Sequence, residues 1–102
     1  MHEISSKDVI DLIKNNPDLV IVDVRTQAEF ESGHIGGSVN IDVSLPNFKE
    51  EIEKLNKNTR YVVYCRSGNR SKFAAQIMEV LGFREVYDLG GGIVENPELL
   101  SL

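Results

Sequence analysis

Tyr61-Val62-Val63-Tyr64-Cys65-Arg66-Ser67-Gly68-Asn69-Arg70-Ser71 has two halves of opposite physical character. The first is β-branched and aromatic, the composition of a strand, and it ends at the one cysteine of the chain. The second is small, polar or cationic, and a helical pattern begins directly behind it. A strand, a tight loop holding a thiol and a helix N-terminus are therefore expected side by side.

Downstream, a helix is expected from about Asn69 to Leu81, with Phe73, Ala74, Ile77, Met78 and Leu81 as its apolar stripe. Gly82 stands where a left-handed C-terminal cap belongs. Val86-Tyr87-Asp88-Leu89 reads as the last strand. Gly90-Gly91-Gly92 reads as a turn near the pocket, since no strand–helix G-x-G-x-x-G pattern surrounds it. Asn96-Pro97 has the form of an N-cap with Pro at the first helical position, opening a brief helix through Leu100.

Upstream, Leu19-Val20-Ile21-Val22-Asp23-Val24 is almost continuously apolar, the pattern of a strand buried on both faces of a parallel sheet. Before it, Ser5 or Ser6 can cap a helix carrying Val9, Ile10, Leu12 and Ile13, which Asn15-Asn16-Pro17-Asp18 ends. After it, Thr26-Gln27-Ala28-Glu29 fits a capping box for a short helix stopped at Gly33. His34 to Ser38 is a loop, and Val39-Asn40-Ile41 a very short strand. Pro46-Asn47 introduces a helix with Phe48, Ile52 and Leu55 on one face, closed by Lys57-Asn58. Strands alternating with helices predict an α/β domain with a mainly parallel sheet.

The totals set limits. A chain of 102 residues is enough for one domain, 1–102, with one modest core. Its 41% hydrophobic and 26% charged residues are an ordinary folded composition. No apolar run approaches the roughly 20 residues of a membrane span. The start lacks the basic leader and apolar stretch of a signal peptide, so a cytoplasmic location is expected. One cysteine excludes an internal disulfide or a cysteine-rich metal site, and His2 and His34 show no ligand spacing. No metal or cofactor is expected. The net charge of −5 argues against binding nucleic acid or anionic membranes. Within Thr59–Met78, however, Arg60, Arg66, Arg70 and Lys72 meet no acid. A local cationic site on an acidic body suggests a small anionic ligand. Oligomeric state is not encoded in any of these features, and a monomer is the default.

A lone cysteine is by itself a small buried hydrophobe. Here its neighbours point elsewhere. Open α/β sheets bind ligands beyond the carboxyl ends of their strands, where Cys65 falls. Arg66 and Arg70 flank it, and the helix N-terminus adds partial positive charge, each favouring thiolate over thiol. Gly68 lets the backbone turn back without a Cβ clash, so successive N–H groups could form an anion-binding nest. The remaining polar residues read as scaffold. Arg25 and Glu29, four apart, suggest a helix-start ion pair near Asp23, and His34 a hydrogen bond to loop backbone. Asp42 is a loop or cap residue, and Lys72 adds to the field around the loop.

Together, Asp23-Val24-Arg25, Glu29-Phe30, Gly33-His34-Ile35, Asn40-Ile41, Val63-Tyr64-Cys65, Ser67-Gly68, Arg70-Ser71, Ala74-Ala75, Gly82-Phe83 and Gly91-Gly92 resemble the rhodanese family of sulfurtransferases. The resemblance runs from about Leu19 to Gly92, with the pieces in the family's order. It implies a rhodanese-like three-layer α/β fold, with a central, mainly parallel sheet of about five strands flanked by helices. It also implies the chemistry. Cys65 would attack the outer sulfur of a small anionic donor such as thiosulfate, hold it as a persulfide, and pass it to a thiol, cyanide or protein acceptor. Backbone N–H groups and side chains of Arg66, Ser67, Gly68, Asn69 and Arg70 would bind the donor and the anionic sulfur. With no second cysteine, the acceptor must be external.

Other functions compete with this one. The same loop would serve a sulfur-carrier or interaction module that accepts persulfide from a protein donor and turns over thiosulfate poorly. An inactive structural domain is set against by the presence of Cys65. Phosphatases and arsenate reductases typically carry Cys-x5-Arg loops, wide enough for a tetrahedral phosphoryl group. Here the spacing is Cys-x4-Arg, and Ser71 stands at the place of the phosphatase arginine. The chain departs from the family in two places. Val94-Glu95-Asn96 stands where members often carry a tryptophan, and Gly36 replaces a common proline, which should loosen that loop.

Overall fold

The computed structural model describes residues 1–102. Five parallel strands form one sheet in the order β1-β5-β4-β2-β3: β1 His2–Ile4, β2 Val20–Asp23, β3 Val39–Asn40, β4 Arg60–Tyr64 and β5 Glu85–Leu89. The helices are α1 Ser6–Asn15, α2 Gln27–Glu31, α3 Phe48–Glu53, α4 Asn69–Val80 and α5 Gly92–Glu95, followed by a 3-10 turn at Pro97–Ser101. The sheet is parallel throughout, as the uninterrupted apolar runs require: every strand returns by a crossover, and the central ones are covered on both faces.

The core expected as one is divided by the sheet into two. Tyr61, Val63 and Cys65 point to one side, where they meet Phe48 and Ile52 of α3 and Ala74, Ala75 and Met78 of α4. Val62 and Tyr64 point to the other, against Val9 of α1, Ile93 of α5 and Leu99. This alternation is the period-2 geometry of a strand, and it makes β4 the best-buried element. Burying each Val or Ile contributes roughly 1.5–3 kcal/mol before entropy is counted.

Local signals set the element ends. Ser5 caps α1 in a reciprocal capping box with Asp8, and Thr26 caps α2 in the expected box with Glu29. Gly82, at φ 95°, closes α4, its N–H donating to Glu79 O and that of Phe83 to Met78 O.

Several expectations are corrected. β1 was not anticipated; it is three residues long and exists only by pairing with the edge of β5. The stripe of α4 is rotated: Ser71, Ala74, Ala75 and Met78 are buried, whereas Phe73 is 58% exposed. The third helix stops at Glu53, before Leu55. Gly91-Gly92 is more than a turn, because it starts α5. Asn96 and Pro97 open the terminal turn as expected, as a 3-10 turn, but the Asn96 side chain does not cap it; its Nδ2 donates to the carbonyls of Gly90 and Gly92. At Gly36, a Cβ would stand 2.9 Å from the carbonyl oxygen of Leu102, so the missing proline makes room for the chain end.

Candidate active site

Cys65 follows β4 at the carboxyl edge of the sheet, and Gly68 turns the chain into α4. Gly68 lies at φ 105°, a left-handed conformation that side chains rarely adopt. This turn aims its own N–H at the sulfur, 3.0 Å from Cys65 Sγ. The first turn of α4 lies just beyond, with its unpaired N–H groups directed toward the same end.

The loop is fixed from below by α5. Ile93 N–H donates to Cys65 O and Val94 N–H to Arg66 O, at 3.0 and 2.9 Å. Gly92 makes that approach possible: a Cβ there would lie 2.5 Å from Arg66 O and 2.7 Å from Ser67 N. The glycine run is thus a contact surface for the cysteine loop.

Cys65 is 1% exposed, and Ser67 and Asn69 lie in solvent. The two arginines differ. Arg66 is exposed and bonds to no carboxylate, whereas Arg70 makes a bidentate pair with Glu29, Nη1 to Oε1 at 2.8 Å and Nη2 to Oε2 at 2.9 Å. Arg70 holds the Glu29 carboxyl down to about 2, with the Thr26 hydrogen bonds acting the same way against partial burial. Arg60 pairs with Glu85. That pair lies at the amino end of β4, away from the loop. Of the three cations near the loop, Arg70 is neutralised by Glu29, leaving Arg66 and Lys72.

The ion pair expected between Arg25 and Glu29 does not form. Arg25 turns inward, its Nη2 donating to Asp23 Oδ2 and to Gly33 O, each at 2.7 Å, with its guanidinium over the Tyr64 ring. Burial raises the Tyr64 hydroxyl to about 12, so it stays neutral, and it accepts the Ile35 N–H. His34 Nδ1 bonds the backbone oxygen of Phe30 at 2.8 Å, as expected of a loop histidine. Asp42 Oδ1 accepts from the backbone N–H and hydroxyl of Ser44, closing a local turn.

Ser71 and Asp88 were not singled out as site residues, yet Ser71 touches the sulfur and Asp88 touches Ser71. Ser71 Oγ is 3.4 Å from Cys65 Sγ and 2.5 Å from Asp88 Oδ1. Both residues are buried, and burial raises the Asp88 carboxyl above its ordinary range, against the pull of the Ser71 hydrogen bond. Ser71 and Asp88 stand seventeen positions apart, which hides the contact from any local pattern. The one available signal was an acid set between Tyr87 and Leu89 near the end of the strand.

No group of three or more His, Cys, Asp or Glu side chains is placed to hold a metal ion. The surface concavities lie elsewhere; one of about 450 Å³ is lined by His2, Asp8, Asp11, Leu12 and Tyr87. At Cys65 the backbone forms a cradle for one atom rather than a cavity. No helix is long and apolar enough to cross a membrane.

A parallel five-stranded sheet with a cysteine loop at the carboxyl end of its central strand is an α/β architecture that sets one thiol at the head of a helix. The chain belongs to the rhodanese-like domain family, whose model matches residues 5–96. A thiosulfate sulfurtransferase GlpE of Coxiella burnetii is 38% identical over 90 residues, covering 88% of this chain and 81% of that protein. A tRNA uridine(34) hydroxylase of Teredinibacter turnerae is 33% identical over 88 residues; they cover 82% of this chain but only 27% of that longer protein. Among solved structures, a rhodanese-related protein from Thermoplasma volcanium superposes with a TM-score of 0.83 at 32% identity, over 96% of this chain and 92% of that one. Family membership supports a sulfurtransferase-type activity.

Proposed function

We propose that this chain moves a sulfane sulfur from thiosulfate or a persulfide donor to a thiol or cyanide acceptor through a persulfide on Cys65. The observation that carries the reading is the Gly68 N–H, 3.0 Å from Cys65 Sγ at the head of α4. Backbone donors held by the fold need no reorganisation to stabilise an anionic sulfur. The Cys65 thiolate attacks the outer sulfur of thiosulfate; a new S–S bond forms, the old one breaks, and sulfite leaves with the electron pair. Cyanide or a thiolate then takes the outer sulfur, and Cys65 departs as thiolate. The near-complete burial of Cys65 favours a small terminal sulfur over a bulky substrate. Arg66, unpaired beside it, supplies charge for an anionic donor, and Ser67 and Asn69 offer polar contacts at the rim.

A second reading is a carrier module that receives persulfide from a protein and turns over thiosulfate poorly; the match to 27% of a longer tRNA uridine(34) hydroxylase shows that such a domain can serve as one part of a larger protein. Intact mass after incubation with thiosulfate separates the two. Sulfur transfer from thiosulfate adds about 32 Da, removed by cyanide or a reductant. A wild-type protein without the adduct, or a Cys65→Ser protein with it, contradicts the proposal.

A further inference from the structure

Asp88 has no part in the chemistry above, and its surroundings are unusual for a carboxylate. The other fully buried acid, Asp23, is held by the guanidinium of Arg25. Asp88, 1% exposed, is held by a hydroxyl, and that hydroxyl touches the nucleophile. The polar hydrogens run one way: Cys65 S–H donates to Ser71 Oγ at 3.4 Å, and Ser71 O–H donates to Asp88 Oδ1 at 2.5 Å. The Gly68 carbonyl, 3.2 Å from Ser71 Oγ, is the more distant alternative acceptor.

We propose that Asp88 is the proton store of Cys65, exchanging a proton with its thiol through the Ser71 hydroxyl. This rests on Cys65 being the nucleophile of the sulfur transfer described above. The S–H bond breaks and its proton passes to Ser71 Oγ as the Ser71 proton moves to Asp88 Oδ1. A thiolate and a neutral carboxylic acid result, and the charge of the buried trio is −1 before and after. The exchange also reverses the hydrogen bonds. Asp88 O–H now donates to Ser71, and Ser71 O–H donates to the sulfur alongside the Gly68 N–H. The thiolate thereby gains a second donor.

Two features of the surroundings favour the neutral acid. Burial disfavours the carboxylate, and a carboxylate would stand beside a thiolate or persulfide in a low-dielectric interior. The charged groups facing Asp88 are Glu3, its partner on β1, and Lys72 on α4; Glu3 favours the acid and Lys72 opposes it. On β4, Asp88 faces the apolar Val63. The proton stays on Asp88 through both sulfur-transfer steps, since thiosulfate enters and sulfite leaves as anions and Cys65 is regenerated as thiolate. Asp88 is thus a positioning residue that acts through Ser71.

Alkylation of Cys65 by iodoacetamide, followed across pH, reads its thiolate without any sulfur donor. Two groups that share a proton titrate jointly, so the wild-type rate should rise in two steps separated by a plateau. Asp88→Asn should collapse the profile to one step. Ser71→Ala should slow alkylation at neutral pH about tenfold, and Ser71→Thr, which keeps the hydroxyl, should recover most of it. A single step in the wild type, or variant profiles that superimpose on it, overturns the relay. Should Asp88→Asn fail to fold, carboxyl-carbon NMR of the wild type decides. Titration of Asp88 must shift once Cys65 is alkylated, and an unmoved titration overturns the proposal. A single-step profile with normal sulfur uptake overturns the relay alone. A two-step profile without sulfur uptake supports the relay and overturns the sulfur transfer.

Discussion

Arg66 and Arg70 flank the same cysteine and carry the same charge, yet their surroundings give them different work. Both terminal nitrogens of Arg70 are engaged by Glu29, whereas Arg66 stands free in solvent. Long-range attraction for an anionic donor therefore falls to Arg66, and Arg70 fixes the loop. Arg66→Ala should lower kcat/KM for thiosulfate about tenfold at low salt, with little effect on a neutral organic trisulfide, and added salt should shrink the difference. Arg70→Ala should weaken both donors alike, because it frees the loop and leaves Glu29 unpaired. Equal selectivity losses in the two variants would show that the division of roles is wrong. The sequence could place both arginines near the thiol. It could not reveal that one is neutralised, since Glu29 lies 41 residues away.

At the scale of elements, much was legible because it depends on neighbours in sequence. The β2 and β4 runs, the serine cap of α1, the Thr26–Glu29 capping box and the Gly82 cap are local chemistry, and all appear as expected. What escaped is set by packing between elements. β1 has two exposed residues out of three and no periodicity of its own. Phe73 fits a helical stripe, but α4 lies against the sheet through Ser71, Ala74 and Ala75, whose small size permits close approach. The role of α5 as a clamp was hidden in a glycine run that reads as a turn. That clamp is testable. Gly92 sits at φ 62° with no room for a Cβ against the backbone of Arg66 and Ser67. Gly92→Ala should lower unfolding free energy by about 2 kcal/mol or more and move the cysteine loop. The measurements are urea unfolding and the rate of sulfur uptake from thiosulfate. Unchanged stability and uptake would mean that the contact does not shape the loop.

Across the whole molecule, the Glu29–Arg70 pair ties the segment after β2 to the head of α4. The Glu29 carboxyl lies at about 2 when folded, below its ordinary 4.5, so its stabilisation is complete above about 4.5 and is lost as pH falls toward 2. After allowance for solvent screening, its contribution is about 1–2 kcal/mol. Urea unfolding of the wild type and Glu29→Gln should therefore differ by that amount at neutral pH and converge near pH 2; a gap independent of pH would contradict the pairing. Asp88 works with the opposite sign. Its raised carboxyl favours the folded state at low pH, and that advantage is lost as pH rises through its folded value. Both acids border one cysteine loop, and the claim on which everything else depends is that the loop carries sulfur on Cys65. Peptide mass mapping after brief exposure to thiosulfate tests it most directly. The expected result is one additional sulfur on the peptide containing Cys65, discharged by cyanide as thiocyanate and absent from Cys65→Ser. Sulfur found on no peptide, or retained when Cys65 is replaced, would contradict it.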